Sequence, residues 1–136
     1  MATKKREVGR TGLGRVLVVE DDPVLSLTLE DALLDNGADE VVICATLEAT
    51  MAELGAWRPD AIILDVHLAD RDDGWALVEM VTLLGNRPPR IVFATGAPQD
   101  IPPAIAEVST IFKKPYDPAD LVAVLVENDR QRGARG

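Results

Sequence analysis

Four short apolar runs in this sequence each end on polar groups that could do chemistry. Val16–Val19 leads into Glu20, Asp21 and Asp22, Ala61–Leu64 into Asp65, Ile91–Ala94 into Thr95, and Thr110–Phe112 into Lys113 and Lys114. If these runs are strands that lie side by side and point the same way, their ends meet in one small volume. Carboxylates about 4 Å apart repel by roughly 4 kcal/mol per pair at an effective dielectric near 20. Such a cluster must bind a cation, take up protons or stay apart. Hard oxygen ligands with open positions for water suit Mg2+ or Mn2+. An ammonium and a hydroxyl at the same rim, acting with the metal, can hold a doubly charged phosphoryl group. Asp65 is the carboxylate best placed to accept one, because Ile62, Ile63 and Leu64 put it at the end of a middle strand.

The elements that must position these groups are legible as well. A weaker run, Val41–Cys44, completes a set of five, and near-continuous β-branched runs of this length suit strands buried on both faces. Helical spacing fills the intervals. Leu25, Leu29, Ala32 and Leu33 form a stripe with Asp22 as cap and Pro23 in the first turn, and Asn36-Gly37 ends it. Thr46 caps a helix carrying Leu47, Met51 and Leu54. Asp72 or Asp73 opens one carrying Trp75, Leu77, Val78, Val81 and Leu84, ended by Gly85-Asn86. Asp117-Pro118 opens a last helix carrying Leu121, Val124 and Leu125. Strands alternating with helices predict right-handed βαβ units, hence an α/β fold with a parallel sheet covered on both faces. The fourth crossover is the exception. Its prolines at 98, 102 and 103 remove donors and disfavour helix upstream, so a helix there begins about Pro103 and covers little more than residues 104–108.

Length and charge narrow the function classes. A chain of 136 residues, 47% hydrophobic and 27% charged, fits one domain with a core of its own. The single cysteine, Cys44, excludes an intrachain disulfide framework and a multi-thiolate metal site, and reads as a small buried hydrophobe. No apolar run is long enough to span a bilayer, and the basic opening lacks the apolar stretch of a secretory signal, so a cytoplasmic protein without membrane contact is expected. The net charge of −9 is concentrated in the body, since residues 1–14 and 129–136 are basic and read as flexible tails. An acidic body repels nucleic acid, and no nucleic-acid partner is expected.

Several of these residues have plainer readings. Asp22, followed by proline, serves as a helix cap rather than a metal ligand, and Lys113 and Lys114 compete for one inward role. A strand-end Asp65 could cap a turn, and Thr95 could be an ordinary strand-end hydroxyl. His67 lies in a loop, where a phosphate carrier is not expected. Trp75 packs the third helix on the sheet, and Trp57 closes the end of the second.

Taken in order, Val18-Val19-Glu20-Asp21-Asp22-Pro23, Ile62-Ile63-Leu64-Asp65, Phe93-Ala94-Thr95-Gly96 and Lys114-Pro115-Tyr116 resemble the receiver domain of two-component response regulators, over about residues 15–128. The resemblance implies a doubly wound, flavodoxin-like five-stranded parallel sheet of order 2-1-3-4-5 with five helices. It implies that Asp65 is phosphorylated by a histidine kinase or histidine phosphotransfer protein. Glu20, Asp21 and Asp65, with the backbone carbonyl of His67, would hold Mg2+ or Mn2+; Thr95 would bond a phosphoryl oxygen and Lys114 would pair with it. The chain departs from the family at Ala69, where proline is usual in a loop that is here one residue longer, and at Ile111, where an aromatic switch residue is usual. The Phe93-Ala94-Thr95-Gly96 segment is similar to the FATGUY-type subfamily of single-domain receivers, with Ala97 replacing its aromatic.

Three functions compete. A signalling receiver without its own output domain would switch contacts with a downstream protein partner and show at most self-phosphotransfer and slow autodephosphorylation. A haloacid-dehalogenase-like phosphohydrolase using Asp65 would need a second acid where His67 stands, and a cap domain that this length hardly accommodates. A binding module would leave the acidic corner idle. The receiver is the expectation.

Overall fold

The computed structural model describes residues 13–68, 70, 73–82, 89–107 and 109–134. The strands are β1 (Gly14–Val19), β2 (Ala38–Cys44), β3 (Ala61–Leu64), β4 (Arg90–Thr95) and β5 (Thr110–Lys113). The helices are α1 (Pro23–Asp35), α2 (Leu47–Leu54), α3 (Ala76–Thr82), α4 (Pro103–Ala106) and α5 (Pro118–Ala134), with a 3-10 turn at Pro98–Asp100 ahead of α4. All strand pairs are parallel and the order is β2-β1-β3-β4-β5, as the resemblance implied.

Alternate residues of the central strands feed two cores, as the two-residue strand period demands. Val16, Val18, Ile63, Val92 and Ala94 pack with Leu29 and Leu33 of α1 and Leu121 and Leu125 of α5. Leu17, Val19, Ile62, Leu64 and Phe93 pack on the other face with Leu47, Leu54, Leu77, Val81 and Ile101. Every residue of β3 is buried, which is why it reads as an unbroken apolar run.

The helix ends follow the local signals. The Asp22 carboxylate accepts from the amides of Val24 and Leu25, and Asn36 ends α1 before Gly37, whose φ of 105° only glycine adopts without strain. Thr46 caps α2 by accepting from the Ala49 amide. The Trp57 indole donates to Glu53 at the end of α2, with the Arg15 guanidinium stacked 4.1 Å from its ring centre. Partly buried Trp75 packs in the second core, and Cys44 is buried. Asp72, Leu84 and the Gly85-Asn86 stop expected for α3 lie outside the described residues.

Two expected boundaries shift. Leu13 is fully buried and Gly14 opens β1, so the fold begins inside the stretch read as an N-terminal tail, because Leu13 contributes to the first core. At the other end α5 runs to Ala134, across residues read as a tail. No proline interrupts residues 119–134, and arginine and glutamine sustain helix well. The expected shortness of α4 holds: it spans four residues and buries none of them.

Candidate functional site

Strand register assembles the polar rim. Val19 pairs with Leu64, and Thr95 pairs with Lys113. The next residues along β1, β3 and β5 are therefore Glu20, Asp65 and Lys114, all at the carboxyl edge of the sheet where open α/β folds gather ligands. Backbone bonds carry the ladder one step past the strands. The Glu20 amide donates to the Cys44 carbonyl (2.9 Å), that of Asp65 to Val19 (3.0 Å) and that of Lys114 to Thr95 (2.9 Å).

Glu20, Asp65 and Thr95 are buried, Asp21 is exposed, and Lys114 is partly covered. The Lys114 ammonium bridges two strands, with Nζ 2.8 Å from Glu20 Oε1 and 2.8 Å from Asp65 Oδ2. The remaining carboxylate oxygens meet backbone amides: Glu20 Oε2 accepts from Asp22 (3.0 Å) and Asp65 Oδ1 from His67 (3.2 Å). Thr95 Oγ1 accepts from the Ala97 amide at 3.1 Å. Lys113 is exposed, and the Asp22 carboxylate is committed to α1.

These contacts set the protonation preferences. Burial pushes the Glu20 carboxyl above its ordinary range, and the hydrogen bond from Lys114 only partly opposes that. Burial alone would lower the Lys114 ammonium, but the hydrogen bonds to Asp65 and Glu20 outweigh it and hold the group well above an ordinary lysine. Burial also raises the Tyr116 phenol, helped by the Glu20 carboxylate, and its hydroxyl is buried without a hydrogen-bond partner among the described residues.

The donor set fits a hard divalent cation. Glu20, Asp21 and Asp65 each offer one carboxylate oxygen, and the three lie within 4.8 Å of one another. Ionised, they carry three negative charges against one ammonium, and a dication complements the difference with oxygen ligands suited to Mg2+.

Sequence reading missed the surroundings of the loop after Asp65. The His67 ring Nε2 lies 2.7 Å from Asp100 Oδ2 in the turn after β4. The Asp70 carboxylate accepts from the Leu47 and Glu48 amides of α2, at 2.9 and 3.1 Å. Gly74 lies under the strand end, where a Cβ would stand 2.7 Å from the Asp65 carbonyl oxygen and 3.0 Å from that of Val66. Only the glycine left a signal, as the close of an acidic turn; contacts between remote loops leave none in residue spacing.

Comparison with known proteins agrees with this geometry. The family model for the response regulator receiver domain matches residues 16–126. Curated relatives include the phyllosphere-induced regulator PhyR of Methylorubrum extorquens, 27% identical over 88% of this chain and 45% of that protein. The sensory transduction protein LytT of Bacillus cereus is 32% identical over 87% of this chain and 48% of that protein. The chain thus spans about half the length of these relatives. Among solved structures, a CheY-like receiver domain protein from Methanospirillum hungatei superposes with a TM-score of 0.74 at 24% identity, over 91% of this chain and 99% of that one. A PhyR variant from Bartonella quintana, described as an anti-anti-sigma factor, gives 0.73 at 20% identity over 88% and 50%. At those identities the likeness concerns the fold. Among the described residues no helix is long and apolar enough to cross a membrane. With its β2-β1-β3-β4-β5 sheet, its acidic corner and a family match over most of its length, the chain belongs to the response regulator receiver domain family of two-component signalling.

Proposed function

We propose that this chain is a phosphoacceptor switch in the cytoplasm. Asp65 takes a phosphoryl group from a histidine kinase or histidine phosphotransfer protein, and the modified domain changes its contacts with a downstream protein partner. One observation carries the reading: a single ammonium, Lys114 Nζ, stands 2.8 Å from buried carboxylates just past the ends of two different strands, Glu20 and Asp65. In the transfer, an Asp65 carboxylate oxygen forms a bond to phosphorus while the donor's phosphorus–nitrogen bond breaks, and that bond's electron pair stays on the imidazole. Lys114 is positioned to neutralise phosphoryl oxygens as its partner carboxylate is consumed. The Thr95 hydroxyl, oriented by accepting from Ala97, keeps its own hydrogen to donate to one of them. When bound to Glu20, Asp21, Asp65 and the His67 backbone carbonyl, Mg2+ supplies further charge neutralisation. Beyond self-phosphotransfer and slow loss of the phosphoryl group, no enzymatic turnover is expected.

Intact mass spectrometry after incubation with acetyl phosphate and Mg2+ tests this. The mass should rise by one phosphoryl group, and Asp65→Asn should abolish the gain. No gain under conditions that modify a control receiver favours an idle binding module. Rapid multiple turnover of phosphomonoesters favours a hydrolase.

A further inference from the structure

We propose that His67 and Asp100 form a strap that transmits the state of Asp65 to the proline-interrupted crossover between β4 and β5; this rests on the phosphoacceptor reading above. The path is short. Asp65 Oδ1 accepts from the His67 amide at 3.2 Å, and the ring of the same residue meets Asp100 Oδ2 at 2.7 Å. Two hydrogen bonds thus link the phosphoacceptor carboxylate to the turn Pro98–Asp100.

The two ends of the loop after β3 are held differently. On the α2 side, Asp70 takes two helix amides, and the Gly74 amide donates to the Val66 carbonyl at 3.0 Å. On the other side the strap leads into a weakly held segment. Ile101 is anchored in the core with Leu64, Val66 and Phe93, but α4 beyond it is four residues long, fully buries none of them, and meets that core only through the partly buried Ile105 and Ala106. Segments with few buried apolar contacts rearrange at low free-energy cost. A change at Asp65 therefore has a stiff neighbour in α2 and a compliant one in the crossover, and displacement follows the compliant side. The aliphatic Ile111 packs in that same core, and Phe112 and Tyr116 pack in the other one, on the α1 and α5 side. Among the described residues, the aromatic of β5, Phe112, thus packs in the core opposite the one that holds Ile101 and Ile105, and the strap offers a separate route to the crossover.

When one Asp65 oxygen becomes bonded to phosphorus, the carboxylate stops offering the His67 amide a full anionic acceptor. The amide follows its strongest acceptor, and the ring carries Asp100 with it.

Beryllofluoride with Mg2+ is the probe, read by calorimetric affinity and by amide hydrogen exchange. In the unaltered chain it should change exchange both in residues 66–70 and in 97–107. Asp100→Ala removes the acceptor at a half-exposed position, and Asp100→Leu keeps side-chain bulk but removes the carboxylate, both outside the metal and phosphoryl site. Both should retain beryllofluoride binding and the change at 66–70. The response at 97–107 should fall at least about twofold, the lower end of couplings along such networks. An undiminished crossover response in both variants overturns the strap while leaving the phosphoacceptor reading intact. Failure of the unaltered chain to bind beryllofluoride overturns both.

Discussion

Replacing Lys114 with methionine removes the ammonium while keeping an unbranched side chain of similar reach. Two buried carboxylates then face each other with no cation between them. Oxygens of Glu20 and Asp65 lie within 4.8 Å, and Coulomb repulsion at that separation is about 3.5 kcal/mol at an effective dielectric near 20. Breaking a buried ion pair by deleting one partner costs roughly 3–5 kcal/mol, and the 26% exposure of the lysine side chain places this case at the lower end. Lys114→Met should therefore lose about 3 kcal/mol at pH 7, read by urea unfolding.

The pH dependence separates charge from packing. Burial raises the folded-state pKa of Glu20 above its unfolded value near 4.5, so ionised Glu20 is a net cost. Its contribution to stability is full below the unfolded value and is lost as pH rises through the folded one. Without Lys114 that folded value climbs further, and the penalty of the variant shrinks as pH falls toward 5. Mg2+ should also stabilise the variant more than the parent, because the vacated ammonium leaves the site one unit more negative. A loss of equal size at pH 7 and pH 5, unmoved by Mg2+, would refute the electrostatic reasoning and assign the effect to packing.

Two further substitutions test the surroundings of the site. Gly74→Ala places a methyl against two backbone oxygens at 2.7 and 3.0 Å; it should cost about 1–3 kcal/mol and slow phosphoryl uptake by Asp65, and an unchanged melting temperature with unchanged mass gain would contradict this. Tyr116→Phe removes a buried hydroxyl without a partner among the described residues. Its stability should stay level or rise by up to about 1 kcal/mol, and a loss of that size in urea unfolding would show that the hydroxyl is hydrogen-bonded in solution.

How much of this was legible in the residues differs between fold and site. β3 matched its apolar run at Ala61–Leu64, because burial on both faces requires an unbroken run. β2 begins three residues before its apolar run, since Asp39 and Glu40 extend along its partly exposed start. The Asp22 and Thr46 caps were readable because they satisfy amides only two or three residues away. The tail bounds read from charge differ from the element bounds for another reason: Leu13 is held by the core, and the backbone of α5 stays helical to Ala134.

By itself, the sequence determined which residues end the strands and which turns begin and end α1 and α2, because polarity, period and capping act over a few residues. Only the tertiary structure decided which groups touch. Lys114 reaches Asp65 across 49 positions, His67 reaches Asp100 across 33, and Asp70 reaches Leu47 across 23. Such approaches depend on strand register and on how loops fold back over the sheet, and spacing along a chain does not encode that geometry.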